Sequence, residues 1–253
     1  MADSFRPCLV VPVYNHALAL PRTLAALSST NLHCIVIDDG SDAECAHVID
    51  LLAAQYARVE TIRLPQNRGK GAAMKVALRH ASAAGFTHAL QIDADNQHDA
   101  SDVPAFLDAA RRDPEAVVVG TARFDASAPR VRRSARRLTH FWVHVNTLSG
   151  DIEDALCGFR VYPLAATVAA LDRYRLGDRM DFDIEILVKL HWSGLSFRCV
   201  PTQVRYPADG VSHFRLLRDN ALISQMHARC FFGVLLRSPR ILVRRARPTT
   251  GRS

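Results

Sequence analysis

Thr87–Ile92 reads THALQI and runs directly into Asp93-Ala94-Asp95-Asn96-Gln97-His98. An apolar run without formal charge that stops at paired carboxylates is the pattern of a buried strand ending at a polar edge. A strand-like run giving way to a polar cluster occurs three times upstream. Cys8–Val13 (CLVVPV) gives way to Tyr14-Asn15, His33–Ile37 (HCIVI) to Asp38-Asp39-Gly40-Ser41, and Val59–Leu64 to Asn67-Arg68-Gly69-Lys70-Gly71. Between these runs Ala17–Ser29, Ala43–Tyr56, Gly71–Ala84 and Asp102–Arg112 read as helices, and Ala116–Val119 predicts a fifth strand. Strands alternating with helices at this spacing predict a mostly parallel α/β sheet with helices on both faces. Ligands in such sheets bind beyond the carboxyl ends of the strands, where all four polar clusters fall.

The second half is less regular. Residues 121–137, rich in Ala, Arg and Pro, predict a mobile loop. Its Arg130, Arg132, Arg133, Arg136 and Arg137 suit acceptor phosphate or lipid headgroups, or simply a solvated basic surface. A helix over Leu138–Leu148, a strand over Gly158–Tyr162, a short helix over Leu164–Leu171, a helix over Phe182–Trp192 and a strand over Leu195–Val204 follow. Phe214–Leu236 predicts a long amphipathic helix, and Arg237–Ser253, with six Arg and no acid, a tail disordered at its end.

Composition narrows the class. Apolar residues are 49% of 253, enough for a sizeable core, while 7% aromatics argue against a sugar-stacking lectin surface. No uncharged apolar run approaches the roughly 20 residues of a membrane span, and the first residues lack a secretory signal, so the expected location is cytoplasmic. Six cysteines without a C-x-x-C pair read as reduced, buried thiols, and no Cys or His spacing suits zinc. The net charge of +7 is concentrated: residues 198–253 hold eleven Arg and two Asp, a balance of +9. A basic tail on a near-neutral body predicts an anionic membrane surface as partner. No nucleic-acid-binding motif accompanies the charge, so nucleic acid is not expected.

The polar clusters carry distinct chemistry. Asp93 and Asp95, on one face if the backbone stays extended, suit Mg²⁺ or Mn²⁺, hard cations that also take phosphate oxygens; helix-capping or loop acids are the alternative. Asp39 suits a ribose hydroxyl or base N–H, with Ser41 or Asp42 capping the next helix. Asn67–Gly71 opens a helix and suits an anion, or is simply a glycine-permitted turn. Neither a phosphate-binding GxxxxGK[ST] loop nor GxGxxG is present.

Together, VVPVYN (Val10–Asn15), VIDDGS (Val36–Ser41), NRGKG (Asn67–Gly71) and QIDADNQH (Gln91–His98) resemble the family 2 glycosyltransferases of the GT-A fold. VGTAR (Val119–Arg123), DALCGFR (Asp154–Arg160), FDIEI (Phe182–Ile186), PTQVRY (Pro201–Tyr206) and SHFR (Ser212–Arg215) are similar to the dolichyl-phosphate mannose synthase group of polyprenyl-phosphate glycosyltransferases. The resemblance implies a nucleotide-diphospho-sugar donor, Mg²⁺ or Mn²⁺, and a lipid acceptor. It implies a nucleotide pocket lined by Pro12, Tyr14 and Asn15, with Asp39 at the base or ribose and Lys70 nearby. Asp93, Asp95 and Gln97 would hold metal and diphosphate, Arg123 would lie near a donor or acceptor phosphate, and Arg160 in the acceptor half. His213 departs from the basic residue often found there. Residues 1–213 would form the catalytic domain, with the nucleotide half at about 7–120 and the acceptor half at 121–213. Residues 214–253 would form a basic amphipathic segment, placing the chain peripherally on the inner face of the cytoplasmic membrane.

The resemblance further implies an inverting single displacement. A hydroxyl acceptor needs a general base, whereas a polyprenyl phosphate is already anionic. Asp183 and Glu185 lie two apart at a helix start and point to different faces. Glu185 is the candidate for a role near the acceptor or its arginines; acids complementing the helix dipole are the alternative. Rival readings are a lipid, pigment or soluble hydroxyl acceptor and a non-catalytic nucleotide-binding scaffold. A sugar-phosphate nucleotidyltransferase would need a Gly-rich loop where Pro12-Val-Tyr-Asn15 stands.

Overall fold

The computed structural model describes residues 5–124, 130–204 and 214–246. The chain alternates β1 (Pro7–Val13), α1 (Leu20–Leu27), β2 (Cys34–Asp38), α2 (Ala43–Gln55), β3 (Val59–Arg63), α3 (Lys70–Ala83), β4 (His88–Gln91), α4 (Val103–Arg112) and β5 (Val117–Phe124). It continues through α5 (Arg130–Thr147), β6 (Arg160–Pro163), α6 (Leu164–Arg173), α7 (Phe182–Ser193), β7 (Phe197–Val204) and α8 (Leu216–Ala246). The strands form one sheet in the order β3-β2-β1-β4-β6-β5-β7. β6 runs against β4 and β5, and every other pairing is parallel.

Continuous apolar strands are explained by burial on both faces. Cys8 and Val10 pack with Met74 and Ala77 of α3, Leu164 of α6 and Ile184 of α7. Leu9, Val11 and Val13 face the opposite layer, with Leu24 of α1, Ile49 of α2 and Phe106 of α4. Pro12 sits inside this central strand because the ladder to β4 has already ended at Val10–Gln91, so its missing N–H leaves no rung empty. All six cysteines are free, and all but the half-buried Cys199 are buried.

Two sequence expectations are corrected. Residues 121–124 and 130–137 are not a loop: β5 continues to Phe124 because each residue from Thr121 to Phe124 pairs with Pro201–Val204 of β7, and α5 begins at Arg130; residues 125–129 lie outside the described residues. Local composition suggested breakage, but cross-strand pairing decides the strand, and Arg is itself a good helix former. The side chains of Arg130, Arg132 and Arg133 lie outside the described residues, as do Ser212 and His213. α8 also outruns its expected end at Leu236 and continues through Pro239 to Ala246; the tail beyond it lies outside the described residues.

α8 both packs on the core and faces outward. Met226, Cys230, Val234 and Ile241 are buried at helical spacing, while Leu217, Phe232, Leu235 and Leu236 are exposed. Ring contacts run from Phe141 through Trp142 and Phe231 to Phe232, tying α5 to α8.

Beneath this seam His227 lies 5% exposed, its Nδ1 3.1 Å from Asn146 Nδ2 and its Nε2 without a partner among the described residues. Burial pushes its pKa down to about 4. An unfolded-chain histidine titrates near ~6.5, so between there and about 4 the unfolded chain takes up the proton first, and stability falls as pH falls through that window. We expect His227→Asn, which keeps an acceptor facing Asn146, to lose less melting temperature than wild type between pH 6.5 and 4, with equal melting temperatures changes above pH 7.

Candidate active site

Lys70 is the first residue of α3, and its Nζ lies 2.7 Å from Asp93 Oδ1 and 2.8 Å from Asp183 Oδ2. The polar end of β4, the start of α3 and the first turn of α7 therefore meet at one ammonium. Burial opposes the charge on Lys70, but the two carboxylates outweigh it and hold the pKa above the ordinary lysine value. Burial likewise works to raise Asp93, and Lys70, then His98 and Arg160, hold it below the usual carboxylate range. Asp95 goes the other way: burial and then the charge of Asp93 push it up.

The two carboxylates do not share the face of a strand, as an extended backbone would require. β4 stops at Gln91, and Asp95 lies in a turn closed by Asn96 at φ 57°. Asp95 accepts a bond from the Gln97 amide at 3.1 Å, so Gln97 enters the site through its backbone.

This cluster fits a divalent cation. Asp93, Asp95 and Asp183 bring three carboxylates against the two cations Lys70 and Arg160, and burial, then the charge of Asp93, raises the pKa of Asp95. The donors are carboxylate oxygens, as Mg²⁺ and Mn²⁺ prefer. Among the described residues no group of three or more His, Cys, Asp or Glu could hold a metal alone. Asp93 and Asp95 therefore need ligand oxygens from elsewhere, as is usual for Mg²⁺ held by one or two carboxylates plus phosphate.

The other strand ends form the neighbouring wall. Asn15, at φ 51°, donates its amide to Ser41 Oγ at 3.0 Å and accepts from the Asp42 amide at 2.8 Å, tying the end of β1 to that of β2. Tyr14 stands beside it, half-buried, above the buried Pro12. Asp42, rather than Ser41, caps α2 through Cys45 N. Asp39 was expected to meet base or ribose, but both its oxygens already serve the Asn67–Gly69 loop, accepting from Asn67 Nδ2 (2.9 Å), Arg68 N (2.8 Å) and Gly69 N (2.8 Å). It shapes the pocket wall first.

Arg160 is fully buried and bonded to the Cys157, Ala155 and Asp183 carbonyls and the Tyr162 hydroxyl, so it braces the site from below and offers no surface to an acceptor. Arg123 stands exposed on β5 opposite Gln203. Glu185 turns to the far side of α7, as the two-residue spacing from Asp183 requires. It accepts from Gly177 N at 2.9 Å and lies 3.4 Å from Arg229 of α8.

Three participants escaped the sequence reading of the site. Asp154, 2% exposed, accepts from the Ala122 and Leu156 amides and pairs with Arg136 and His140 of α5. Burial opposes its charge, but His140 and Arg136 hold its pKa far below the usual range. Gly158 packs so closely that an added Cβ would stand 2.2 Å from Asp93 Oδ2. Both lie in DALCGFR, and the glycine there was the available signal. Arg179, in the segment before α7, lies 3.4 Å from Asn67 Oδ1 and belongs to no motif.

Residues 8–173 match the sequence profile described as Glycosyl transferase family 2. The chain belongs to this family. Among similar curated proteins, this family 2 chain is 27% identical over 198 residues to a dolichyl-phosphate beta-glucosyltransferase of Trichomonas vaginalis, covering 71% of the chain and 59% of the relative. It is 31% identical over 176 residues to an undecaprenyl-phosphate 4-deoxy-4-formamido-L-arabinose transferase of Shewanella sediminis, covering 65% and 50%. The chain thus spans half to three-fifths of the length of these relatives. Glucosyl-3-phosphoglycerate synthase from Mycobacterium tuberculosis, solved with Mn²⁺ and uridine-diphosphate-glucose, superposes with a TM-score of 0.62 at 17% identity, covering 92% of this chain and 79% of that one. The GT-A fold expected of the family 2 resemblance is the fold observed.

Gly158→Ala must displace the Asp93 carboxylate from Lys70, because no Cβ tolerates a 2.2 Å contact. We expect Mn²⁺-dependent nucleoside-diphosphate binding at least about tenfold weaker, near 1.4 kcal/mol, measured by titration calorimetry.

Proposed function

We propose that the chain is an inverting glycosyltransferase that moves a hexose from a nucleotide-diphospho-sugar onto polyprenyl phosphate at an anionic membrane surface. The observation that carries it is the acidic excess of Asp93, Asp95 and Asp183 around Lys70, set beside the Asn67–Gly71 loop at the carboxyl ends of the strands. Asp93 and Asp95 are the residues to hold Mg²⁺ or Mn²⁺, with Lys70 positioned between Asp93 and Asp183. A cation bound there would neutralise charge developing on the leaving diphosphate. Pro12, Tyr14, Asn15 and the loop braced by Asp39 would form the nucleotide wall.

The lipid phosphate acceptor is supported by the names of the relatives and by the fate of Glu185. That carboxylate, the sequence's candidate base, is 1% exposed and engaged by Gly177 and Arg229. An acceptor that is already an anion needs no proton removed, so the engagement of Glu185 elsewhere suits it. Arg123, exposed on β5, is available to the acceptor or donor phosphate.

No helix among the described residues is long and apolar enough to cross a membrane. The exposed Leu138 and Phe141 of α5 and Leu217, Phe232, Leu235 and Leu236 of α8 instead suit a peripheral face. Burying each such side chain contributes roughly 1.5–3 kcal/mol, and each nearby Arg about 1 kcal/mol on anionic lipid. The apolar row sets the affinity and the arginines the lipid preference.

The first test offers labelled UDP-, GDP- and dTDP-sugars with native membranes and Mg²⁺ or Mn²⁺. We expect label in the organic phase that depends on metal and falls at least about a hundredfold in Asp95→Asn. Metal-dependent donor consumption with no organic-phase label would move the acceptor to soluble hydroxyl compounds. Nucleotide binding without turnover would favour the scaffold reading. For the surface, we expect co-sedimentation with phosphatidylserine vesicles at low salt and its loss in the double variant Phe232→Glu, Leu236→Glu at unchanged melting temperature; sedimentation equal to wild type would remove α8 from the membrane.

A further inference from the structure

Residues 174–181 join α6 to α7 and touch both the loop that opens α3 and the ion pairs that seat α8. One end of the segment meets the nucleotide wall. Ala72 N donates to Asp178 O at 2.9 Å, and Lys75 Nζ reaches the Leu176 and Gly177 carbonyls at 3.2 Å each. The Arg179 side chain crosses Gly69 so closely that a Cβ there would stand 2.7 Å from Arg179 Cγ, and Gly69 itself sits at φ 103°. The guanidinium then lies 3.4 Å from Asn67 Oδ1, and its charge acts on Asp39. Arg179 is half-buried, a planar cation on the rim of the loop that opens α3.

The other end meets α8. Glu185 and Asp181, 1% and 4% exposed, accept from the Gly177 amide (2.9 Å) and the Arg179 amide (3.3 Å). Two buried carboxylates side by side require cations. Lys189 supplies one, 3.6 Å from Glu185 Oε1. Arg229 of α8 supplies the other, 3.4 Å from Glu185 Oε2 and 3.9 Å from Asp181 Oδ2. α8 is clamped alongside, where Arg237 and Lys189 both lie against the Trp192 ring.

Resting on the donor reading above, we infer that Arg179 contacts the donor nucleoside diphosphate and that Arg229, through Asp181 and Glu185, is the positioning residue that holds it there. Arg is suited to this role because its fork matches phosphate oxygens and its plane stacks on bases. Glu185 is then a positioning residue and not a base.

The test is a double-mutant cycle on the full chain, titrating UDP, GDP and dTDP with Mn²⁺, alongside hydrogen exchange of the 176–180 amides. We expect Arg179→Gln to weaken binding about tenfold. Arg229→Gln should weaken it about three- to tenfold and speed exchange at Gly177 and Arg179, Arg229→Lys should recover most of the loss, and the double variant should bind no worse than Arg179→Gln alone. Wild-type affinity in Arg229→Gln, or losses that simply add, would overturn the coupling; wild-type affinity in Arg179→Gln would overturn the contact. If wild type binds no nucleotide, the donor reading fails with the nucleotide half of the inference. Unchanged exchange in Arg229→Gln would separately overturn the anchoring of the segment by α8.

Discussion

The ammonium of Lys70 is the point through which the rest of the site is arranged. It stands 2.7 and 2.8 Å from carboxylates that belong to elements distant in sequence, the end of β4 and the first turn of α7. Removing one partner from a largely buried ion pair costs up to roughly 3–5 kcal/mol, because the charges left behind are only partly reached by water. The clamp is therefore more demanding than stabilising: it fixes where α3 starts, and so where the Asn67–Gly69 loop lies. Asp39 answers from the other side by binding that loop's backbone. Gly158 answers from below, since only a residue without a Cβ lets the chain pass beneath Asp93.

The elements that the sequence made legible are those whose cause is local. An apolar run buried on both faces looks the same before and after folding, so β1, β2 and β4 and the polar clusters that end them could be read directly, as could the parallel sheet. The pair Asp93 and Asp95 was legible as residues but not as geometry: the turn at Asn96 depends on β4 losing its partner after Gln91↔Arg160. Residues 121–124 read as loop because nothing nearby announces their partner, which arrives eighty residues later in β7. Arg160 was placed in the acceptor half by resemblance alone; its burial among four backbone and side-chain oxygens comes from the fold. Arg179 carries no motif at all, and only the fold brings it to Asn67.

α8 illustrates how one amphipathic pattern serves two boundaries. A helix with one apolar stripe must choose between core and surface, but Met226, Cys230 and Val234 lie on one side and Phe232, Leu235 and Leu236 on another. The first stripe closes the layer over α5 and α7. The second has nothing to cover it among the described residues, and arginines flank it. His227 and Asn146 sit under the buried stripe, so the seam is polar at its centre and apolar at its rim. That arrangement favours a docked helix whose position is specific, because a slipped register would bury the imidazole against apolar neighbours without its amide partner.

Charge balance connects the two ends of the molecule. The donor proposed for the site would bring anionic oxygens to a cluster in which Asp93, Asp95 and Asp183 outnumber Lys70 and Arg160, and a divalent cation there would reconcile them. On the far side of α7 the same problem recurs without a metal: Asp181 and Glu185 are buried together, and cations from the protein itself, Lys189 and Arg229, settle the charge. α7 thus separates two acidic centres, Asp183 on one face and Glu185 on the other, two residues apart in sequence. The first is balanced by a residue of the catalytic sheet's helices, the second partly by the helix with the exposed apolar row. An acid pair that needs Arg229 to remain buried makes the placement of α8 a condition on the segment that carries Arg179, so the outermost helix and the pocket wall cannot be arranged independently.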